Sequence, residues 1–157
     1  MQYLYMVLFA LGIAGLDQLT KYWTVENLAL FEQAQAVPGV FHLTYVQNTG
    51  AAWSSFEGMI PLFVVLFVAL TVAIVWEFST NKLGFSTFEK WCIMAVFGGG
   101  LGNVIDRVRL GYVVDMIAVD FIKFPVFNVA DCFITCGCIL LMGHLLFFNK
   151  GFWKDTK

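Results

Sequence analysis

Long apolar runs are the feature that most restricts what this chain can fold into. Residues 3–23, 60–78 and 127–148 form three runs that carry few charges, and residues 89–106 form a shorter fourth run. About 20 apolar residues in a helix cross a bilayer core of roughly 30 Å. A helix also satisfies its own backbone hydrogen bonds inside lipid. The sequence therefore predicts an all-α membrane protein with four transmembrane helices.

Composition agrees with a membrane protein and excludes other classes. Only 13% of the 157 residues are charged, whereas about a quarter are charged in a typical soluble domain. The net charge of −2 and the absence of a basic run argue against a nucleic acid partner. The length suits one integral-membrane domain over residues 1–157, with membrane lipid as its surroundings.

The first long connection, residues 24–58, predicts a small β platform outside the cytoplasm. Val40–Val46 alternates apolar and polar residues as a half-buried strand does, and Asn48-Thr49-Gly50 is typical of a turn. Trp53 and Phe56 are expected at the membrane interface. Because residues 24–58 contain no Lys or Arg, we expect this loop outside and both termini in the cytoplasm.

Four aspartates should then share the outer membrane face. Asp17 has Lys21 four residues later, which is the spacing of an ion pair on one helix face, and Asp106 precedes Arg107 directly. Asp115 and Asp131 instead lie among apolar residues with no basic residue within four positions. Buried ionisable groups at a membrane surface are costly, so a set of this kind indicates a functional site.

Asp115 and Asp131 predict a specific chemistry if the fold brings them together. Two carboxyl groups in a site of low dielectric constant share one proton, because both cannot easily ionise. The ionised member can activate water, and the protonated member can protonate an amide. Each aspartate taken alone is better explained by pairing with a basic residue or by hydration at the interface than by catalysis.

Metal and redox chemistry are not expected. The four cysteines, Cys92, Cys132, Cys136 and Cys138, form no C-x-x-C pair and lie in apolar runs. His42 has no Cys, Asp or second His near it in the sequence, so an ordinary partly buried histidine is expected there. No cofactor or metal ion is predicted.

Five ordered motifs resemble those of bacterial lipoprotein signal peptidases, the signal peptidase II family of aspartic peptidases. The resemblance covers nearly the whole chain and rests on the following motifs: Asp17-Gln18-Leu19-Thr20-Lys21, Asn48-Thr49-Gly50-Ala51-Ala52-Trp53, Gly102-Asn103-Val104-Ile105-Asp106-Arg107, Val113-Val114-Asp115 and Phe127-Asn128-Val129-Ala130-Asp131. Two neighbours of the aspartates depart from the family pattern. Met116 stands where Phe is frequent, and Cys132 stands where Ser is frequent.

The resemblance implies an endopeptidase of the bacterial cytoplasmic membrane. Its substrate would be a diacylglyceryl-modified prolipoprotein, cut just before the lipidated cysteine by a monomeric enzyme whose site lies near the outer face. Asp115 and Asp131 would be the catalytic pair. The remaining matched positions would bind substrate or support the site: Asn48, Asn103, Asp106, Arg107, Asn128, Asp17 and Lys21. Val40–Val46 would offer the extended peptide a backbone edge or a curved surface.

Two other classes of function stay open at this point. A small ion- or proton-coupled transporter also uses intramembrane aspartates, although here they cluster at one face and the two halves show no inverted similarity. A scaffold subunit would use the same polar residues for helix packing alone. Loss of lipoprotein processing on changing either Asp115 or Asp131 would separate a peptidase from both.

Overall fold

The computed structural model describes residues 1–50 and 58–149, which leaves Trp53 and Phe56 outside the described residues. The described part is mostly helical, as predicted, and contains a small sheet. In chain order its elements are α1 (Gln2–Asn27), β1 (Gln33–Val37), β2 (Phe41–Asn48), α2 (Ile60–Thr80), α3 (Thr87–Leu110), β3 (Val113–Val119) and α4 (Val129–Phe147).

Three helices within the described ranges, α1, α2 and α4, are long and apolar enough to cross a membrane. Many of their large apolar side chains face outward, among them Val65 on α2 and Ile139 on α4. In water this surface would be unfavourable by roughly 25 cal/mol for each Å² of apolar area. Contact with lipid removes that cost, which explains why so small a chain can leave so much hydrocarbon outside its core.

The remaining helix, α3, differs from these three in its surroundings, because it packs between α1 and α4. Its Gly98, Gly99 and Gly102 are buried. A Cβ at Gly98 would lie 2.6 Å from the Ala10 carbonyl oxygen, and a Cβ at Gly99 would lie 2.5 Å from the Ala130 carbonyl oxygen. Glycine therefore lets the three helices approach closely. A helix shielded by its neighbours in this way can carry more polar residues than one that faces lipid.

Helix α3 is also longer than predicted. The sequence interpretation ended it at Asp106, but it continues one turn further to Leu110 and stops at Gly111, which has a φ of +82°. Only glycine adopts this left-handed conformation without strain. Arg107 and Arg109 consequently lie in the last turn, where the negative end of the helix dipole favours cations.

The sheet is antiparallel with strand order β1-β2-β3. A platform confined to the first loop was predicted, and this is incomplete because β3 comes from the second connection. The alternating segment does form β2, but β2 is the central strand and pairs on both sides. Its backbone groups are therefore committed to the sheet, and the idea that Val40–Val46 offers a backbone edge to a peptide is wrong.

A polar cluster around Glu89 lies where α3 begins and α4 ends. The buried carboxylate of Glu89 accepts hydrogen bonds from Ser86 N at 2.6 Å, from Asn149 Nδ2 at 2.8 Å and from the ring of His144, whose Nδ1 lies 2.8 Å away. Ser86 and Glu89 also form the capping box that begins α3. This cluster joins the start of α3 to the end of α4, far from the aspartates predicted to be catalytic.

Candidate active site

Asp115 lies in the middle of β3 and is 2% exposed. Each of its carboxylate oxygens accepts one amide hydrogen bond. Asn48 Nδ2, at the end of β2, donates to Oδ2 at 2.9 Å, and Asn128 Nδ2 donates to Oδ1 at 2.7 Å. Because the pairing of β2 with β3 places Asn48 opposite Val113, the register of the sheet brings Asn48 within reach of this carboxyl group.

Asp131 lies in the first turn of α4, as predicted. Asn128 is the N-cap of that helix, and its Oδ1 accepts from Asp131 N at 3.0 Å. Asp131 Oδ2 in turn accepts from Asn128 N at 3.2 Å, which completes a capping box. Asn103 Nδ2 donates to the other oxygen, Oδ1, at 2.8 Å. The carboxylate thus lies at the positive end of the α4 dipole, which favours negative charge.

Two side-chain amides connect the carboxyl groups. Asn103 Oδ1 accepts from Lys21 Nζ at 2.9 Å and from Asn128 Nδ2 at 3.0 Å. An ammonium group can only donate, so Lys21 fixes which end of the Asn103 amide faces it. The Asn103 Nδ2 group must then point to Asp131, and the Asn128 Nδ2 group serves both Asn103 and Asp115. The donors around the two aspartates therefore have a defined direction.

Lys21 is 3% exposed and uses all three of its protons. Besides Asn103 it contacts Asp17 Oδ2 at 2.8 Å and Asp106 Oδ2 at 2.9 Å. The predicted Asp17–Lys21 ion pair is confirmed, and Asp106 is an added partner that the spacing did not reveal. An ammonium ion with two carboxylates and an amide oxygen is well compensated for its burial.

Asp17 and Asp106 hold the backbone on which the other two aspartates lie. Asp17 Oδ1 accepts from Ala130 N at 2.9 Å, one residue before Asp131. Asp106 Oδ2 accepts from Val114 N at 3.0 Å, one residue before Asp115. Since Lys21 binds both supporting carboxylates, one buried cation links the backbone positions of α4 and β3.

Arg107 connects α3 to Gly50 in the first loop. Its Nη2 donates to the Gly50 carbonyl at 2.7 Å and its Nη1 to the Asn103 carbonyl at 3.2 Å. The guanidinium group also lies 4.1 Å from the ring centroid of Phe63 on α2, which is a cation–π distance. Arg107 thereby joins three segments at the wall of the site.

Burial raises the pKa of Asp115 from its ordinary value of 3.8 to about 6, and the charge of Asp131 adds to this effect. The hydrogen bonds from Asn48 and Asn128 act in the opposite direction. Burial of a carboxyl group penalises the charged form, and a nearby like charge does the same. Asp115 is therefore suited to retain a proton at a pH where an exposed aspartate has lost it.

A cavity of about 840 Å³ adjoins both aspartates. Its polar wall includes Asn48, Asn103 and Arg107, and its much larger apolar wall comes from α2, α3, α4 and the segment before α4. The apolar lining includes Phe67 of α2, Phe124 of the segment before α4, and Ile134 of α4. A volume of this size fits an extended apolar ligand.

Comparison with known proteins decides the family. The sequence profile described as signal peptidase (SPase) II matches residues 9–147. The chain belongs to the signal peptidase II family. The lipoprotein signal peptidase of Enterococcus faecalis is 44% identical over 138 residues, which are 88% of this chain and 85% of the relative. That of Streptococcus pyogenes serotype M1 is 40% identical over 136 residues, or 87% and 89% of the two chains.

The fold is similar to that of a solved bacterial membrane enzyme. That structure, determined by the in meso method at 2.3 Å resolution, superimposes with a TM-score of 0.84 at 32% identity. The match covers 98% of this chain and 93% of the solved one. A second bacterial membrane enzyme structure, at 1.9 Å resolution, gives a TM-score of 0.80. This chain is thus similar to signal peptidase II relatives in sequence and to a membrane enzyme in fold.

The structure joins the nine residues predicted for the site into one connected network around Asp115 and Asp131. Sequence reasoning missed two contributors. Gln18 Nε2 donates to Asp106 Oδ1 at 2.8 Å, and Phe63 packs against Arg107. Gln18 lay inside a family motif but received no role, whereas Phe63 lies in an apolar span with no local signal. His42 pairs instead with Asp120, 2.6 Å away, at the far end of the sheet.

Proposed function

We propose that this member of the signal peptidase II family is an aspartic endopeptidase that removes the signal peptide from diacylglyceryl-modified prolipoproteins, just before the lipidated cysteine. The observation that carries the proposal is the pair formed by Asp115 and Asp131. Both belong to one network of amide donors, and both line a largely apolar cavity. The names of the curated relatives supply the substrate class.

The proposed reaction begins with one proton on the pair. Asp131 takes a proton from water, and the water oxygen adds to the scissile carbonyl carbon while Asp115 gives its proton to the carbonyl oxygen. The carbon–nitrogen bond then breaks. Asp131 passes its proton to the leaving nitrogen, and Asp115 recovers a proton from the hydroxyl group as the carbonyl re-forms. Both carboxyl groups thus return to their starting state.

The assignment of Asp115 as the proton donor follows from the two environments. Burial and the neighbouring charge raise the pKa of Asp115 to about 6, so it retains the shared proton. Asp131 accepts two N–H donors at a helix N-terminus, a position that favours the anion that activates water. Because the two carboxyl groups share one proton in this proposal, the roles describe which carboxyl group holds that proton for most of the time.

The other residues of the network have supporting roles in this proposal. Asn48, Asn103 and Asn128 orient the carboxyl groups, and Arg107 holds Gly50 of the first loop beside the cavity. Asp17, Lys21 and Asp106 position the backbone of α4 and β3. The reaction assigned here needs no cofactor or metal ion.

We further propose that α3 is the fourth transmembrane helix and that the chain works as one monomeric domain in the bacterial cytoplasmic membrane. Helices α1 and α4 flank α3, and its charged residues Glu89, Lys90 and Asp106 are buried. Both termini would then lie in the cytoplasm, with the sheet and the aspartate pair at the outer face. A lipid-modified substrate would enter the apolar cavity sideways from the bilayer.

The decisive experiment replaces the two aspartates singly. Asp115→Asn and Asp131→Asn should each lower processing of a diacylglyceryl-prolipoprotein in membranes by at least about 1,000-fold, because general acid–base catalysis and water activation both require the carboxyl pair. Asp120→Asn is the matched control, since Asp120 contacts His42 away from the cavity, and it should process normally. Full cleavage by both site variants would refute the proposal, and ion flux lost in the same variants would indicate a transporter.

A further inference from the structure

One end of the sheet presents an apolar surface that the proposed reaction does not use. It consists of Val37 at the end of β1, Val40 in the turn before β2, and Phe121 and Ile122, which follow β3. All four side chains are exposed, and Phe121 is 68% exposed. We call these four residues the apolar tip.

Backbone contacts join the two segments of the apolar tip. Phe41 pairs with both Val37 and Val119 in the sheet, and Asp120 N donates to the Val40 carbonyl at 2.9 Å. The ring of His42 lies 2.6 Å from the Asp120 carboxylate just behind this junction. The four exposed side chains therefore form one surface held by the sheet, and not two unrelated loops.

The depth of the sheet follows from its contacts with α1. A groove of about 290 Å³ is lined by Leu43 and Ile117 of the sheet and by Leu19 and Trp23 of α1. Helix α1 continues beyond Trp23 to Asn27. The sheet consequently lies beside the last turns of a membrane-spanning helix and not above its end. Val129, the first residue of α4, lines the same groove.

The apolar tip lies further along the strands, next to the pair formed by Phe41 and Val119. The chain reaches the start of α4 at Val129 eight residues after Phe121, and Phe127 in this connection pairs with Ile117 of β3. Lys123 lies next to it, is exposed, and has no ion pair among the described residues. A basic side chain beside exposed aromatic and aliphatic residues is typical of a segment that meets lipid headgroups and acyl chains together.

We propose that the apolar tip inserts into the outer leaflet of the bilayer and is a membrane-binding element separate from the transmembrane helices. Its partner is the acyl-chain region of phospholipid. Phe124, three residues after Phe121, lines the cavity that holds Asp115 and Asp131. Insertion of the tip therefore holds one wall of this cavity at the level of the lipid, where a diacylglyceryl group would arrive. The proposal rests on the membrane placement of α1 and α4 and not on the chemistry of the aspartates.

Phe31 provides a matched control on the same sheet. It is 69% exposed, which is close to the 68% of Phe121. Phe31 follows the end of α1, however, and its N–H donates to the Tyr45 carbonyl at 2.8 Å. Tyr45 packs against Leu28, beyond the last turn of α1. We therefore expect Phe31 to face water.

The test uses tryptophan fluorescence in vesicles of phosphatidylcholine brominated on its acyl chains. The five native tryptophans are replaced by Phe, and Phe121→Trp or Phe31→Trp is added to the full chain. Size-exclusion chromatography and thermal unfolding verify the fold. Bromine should quench the Phe121→Trp variant at least about twofold more than the Phe31→Trp variant, because only an inserted indole meets the acyl chains. Equal quenching at the two positions would overturn the proposal.

A second measurement covers the case in which the tryptophan-free chain does not fold. Benzoylphenylalanine placed at position 121 of the otherwise native chain should crosslink phospholipid on illumination, and the same group at position 31 should not. A crosslink from position 121 to a second copy of the chain, in place of lipid, would overturn the proposal. Neither readout depends on peptide cleavage, so failure of the proposed peptidase activity would be recognised separately.

Discussion

Asp115 accepts an amide hydrogen bond on each oxygen and still has a raised pKa, because its burial outweighs both donors. Protonation therefore has to use a lone pair that the two amides leave free. The amides do not select the protonated or the ionised form alone. They hold the carboxyl plane in place in both forms, which is what a group that gives and recovers a proton requires.

The pH dependence of turnover should reveal this balance. The active pair carries one proton, and that proton is lost as the pH rises through the pKa of about 6. We expect kcat/KM, which reports the free enzyme, to fall about tenfold per pH unit above this value. Asn48→Ala removes a donor to the ionised form of Asp115, which should raise the pKa of Asp115 further. The falling limb of the pH profile should therefore move to higher pH, and kcat should fall by about tenfold or more.

Gln47→Ala is the control for this measurement. Gln47 precedes Asn48 on β2 but donates to the Tyr45 hydroxyl at 2.8 Å, so its removal should leave the limb in place. An unchanged pH profile in the Asn48→Ala variant would show that Asp115 does not hold the shared proton.

Asn128 combines two roles that substitution can separate. Its Oδ1 caps α4, and its Nδ2 donates to Asp115 and Asn103. Ser in its place can still cap the helix but supplies no such donor. Asn128→Ser should therefore stay within about 1 kcal/mol of the parent in stability while losing activity by about 100-fold. Asn128→Ala should lose both, with a further destabilisation of about 1–2 kcal/mol. Equal thermal stability of the two variants would contradict the capping role.

At the scale of elements, the position of α3 depends on glycines that no side chain can replace without movement. A Cβ at Gly99 meets the Ala130 backbone, one residue from Asp131. The spacing between α3 and α4 is thus coupled directly to the geometry of the aspartate pair. Helix α3 also supplies Asn103, Asp106 and Arg107 to the site, so its spacing from α4 affects both the packing and the polar network.

Gly99→Ala should consequently separate α3 from α4 and reduce both stability and activity, by about 2 kcal/mol and by about tenfold or more. Gly15→Ala is the matched control, because nothing lies within 4 Å of a Cβ at that position on α1. It should be neutral or stabilising by up to about 1 kcal/mol. Thermal unfolding in detergent and processing in vesicles provide the two measurements. A Gly99→Ala variant with the properties of Gly15→Ala would exclude tight packing at this contact.

At the scale of the whole molecule, the proposed orientation makes a simple prediction. In a cysteine-free background, Gln35→Cys on β1 should react with a membrane-impermeant maleimide in intact cells whose outer layers have been made permeable to the reagent. Lys82→Cys, between α2 and α3, should react only after lysis, because the loop without Lys or Arg lies outside. Both positions are exposed, so access to the side chain does not differ. The reverse labelling pattern would invert the topology.

The sequence was sufficient for the apolar helices, the position of Asp131 in the first turn of α4 and the ion pair of Asp17 with Lys21, because each depends on local spacing. It did not reveal the contacts between distant segments. The pairing of β3 with β2, the link from Arg107 to Gly50 and the contact of Lys21 with Asp106 have no local signature. Helix α3 was also predicted too short. Its glycines and charged residues are buried against neighbouring helices, but in the sequence alone such residues indicate the end of an apolar span.

The direction of the amide donors has a consequence for biosynthesis. Lys21 and Asn103 are made before Asn128 and Asp131. Asn128, at the start of α4, donates to the Asn103 amide oxygen and to the Asp115 carboxyl group. A nascent chain that has not yet delivered α4 to its neighbours contains one aspartate of the pair without its counterpart. We therefore expect no peptidase activity during translation. Activity should begin only after α4 has entered the membrane.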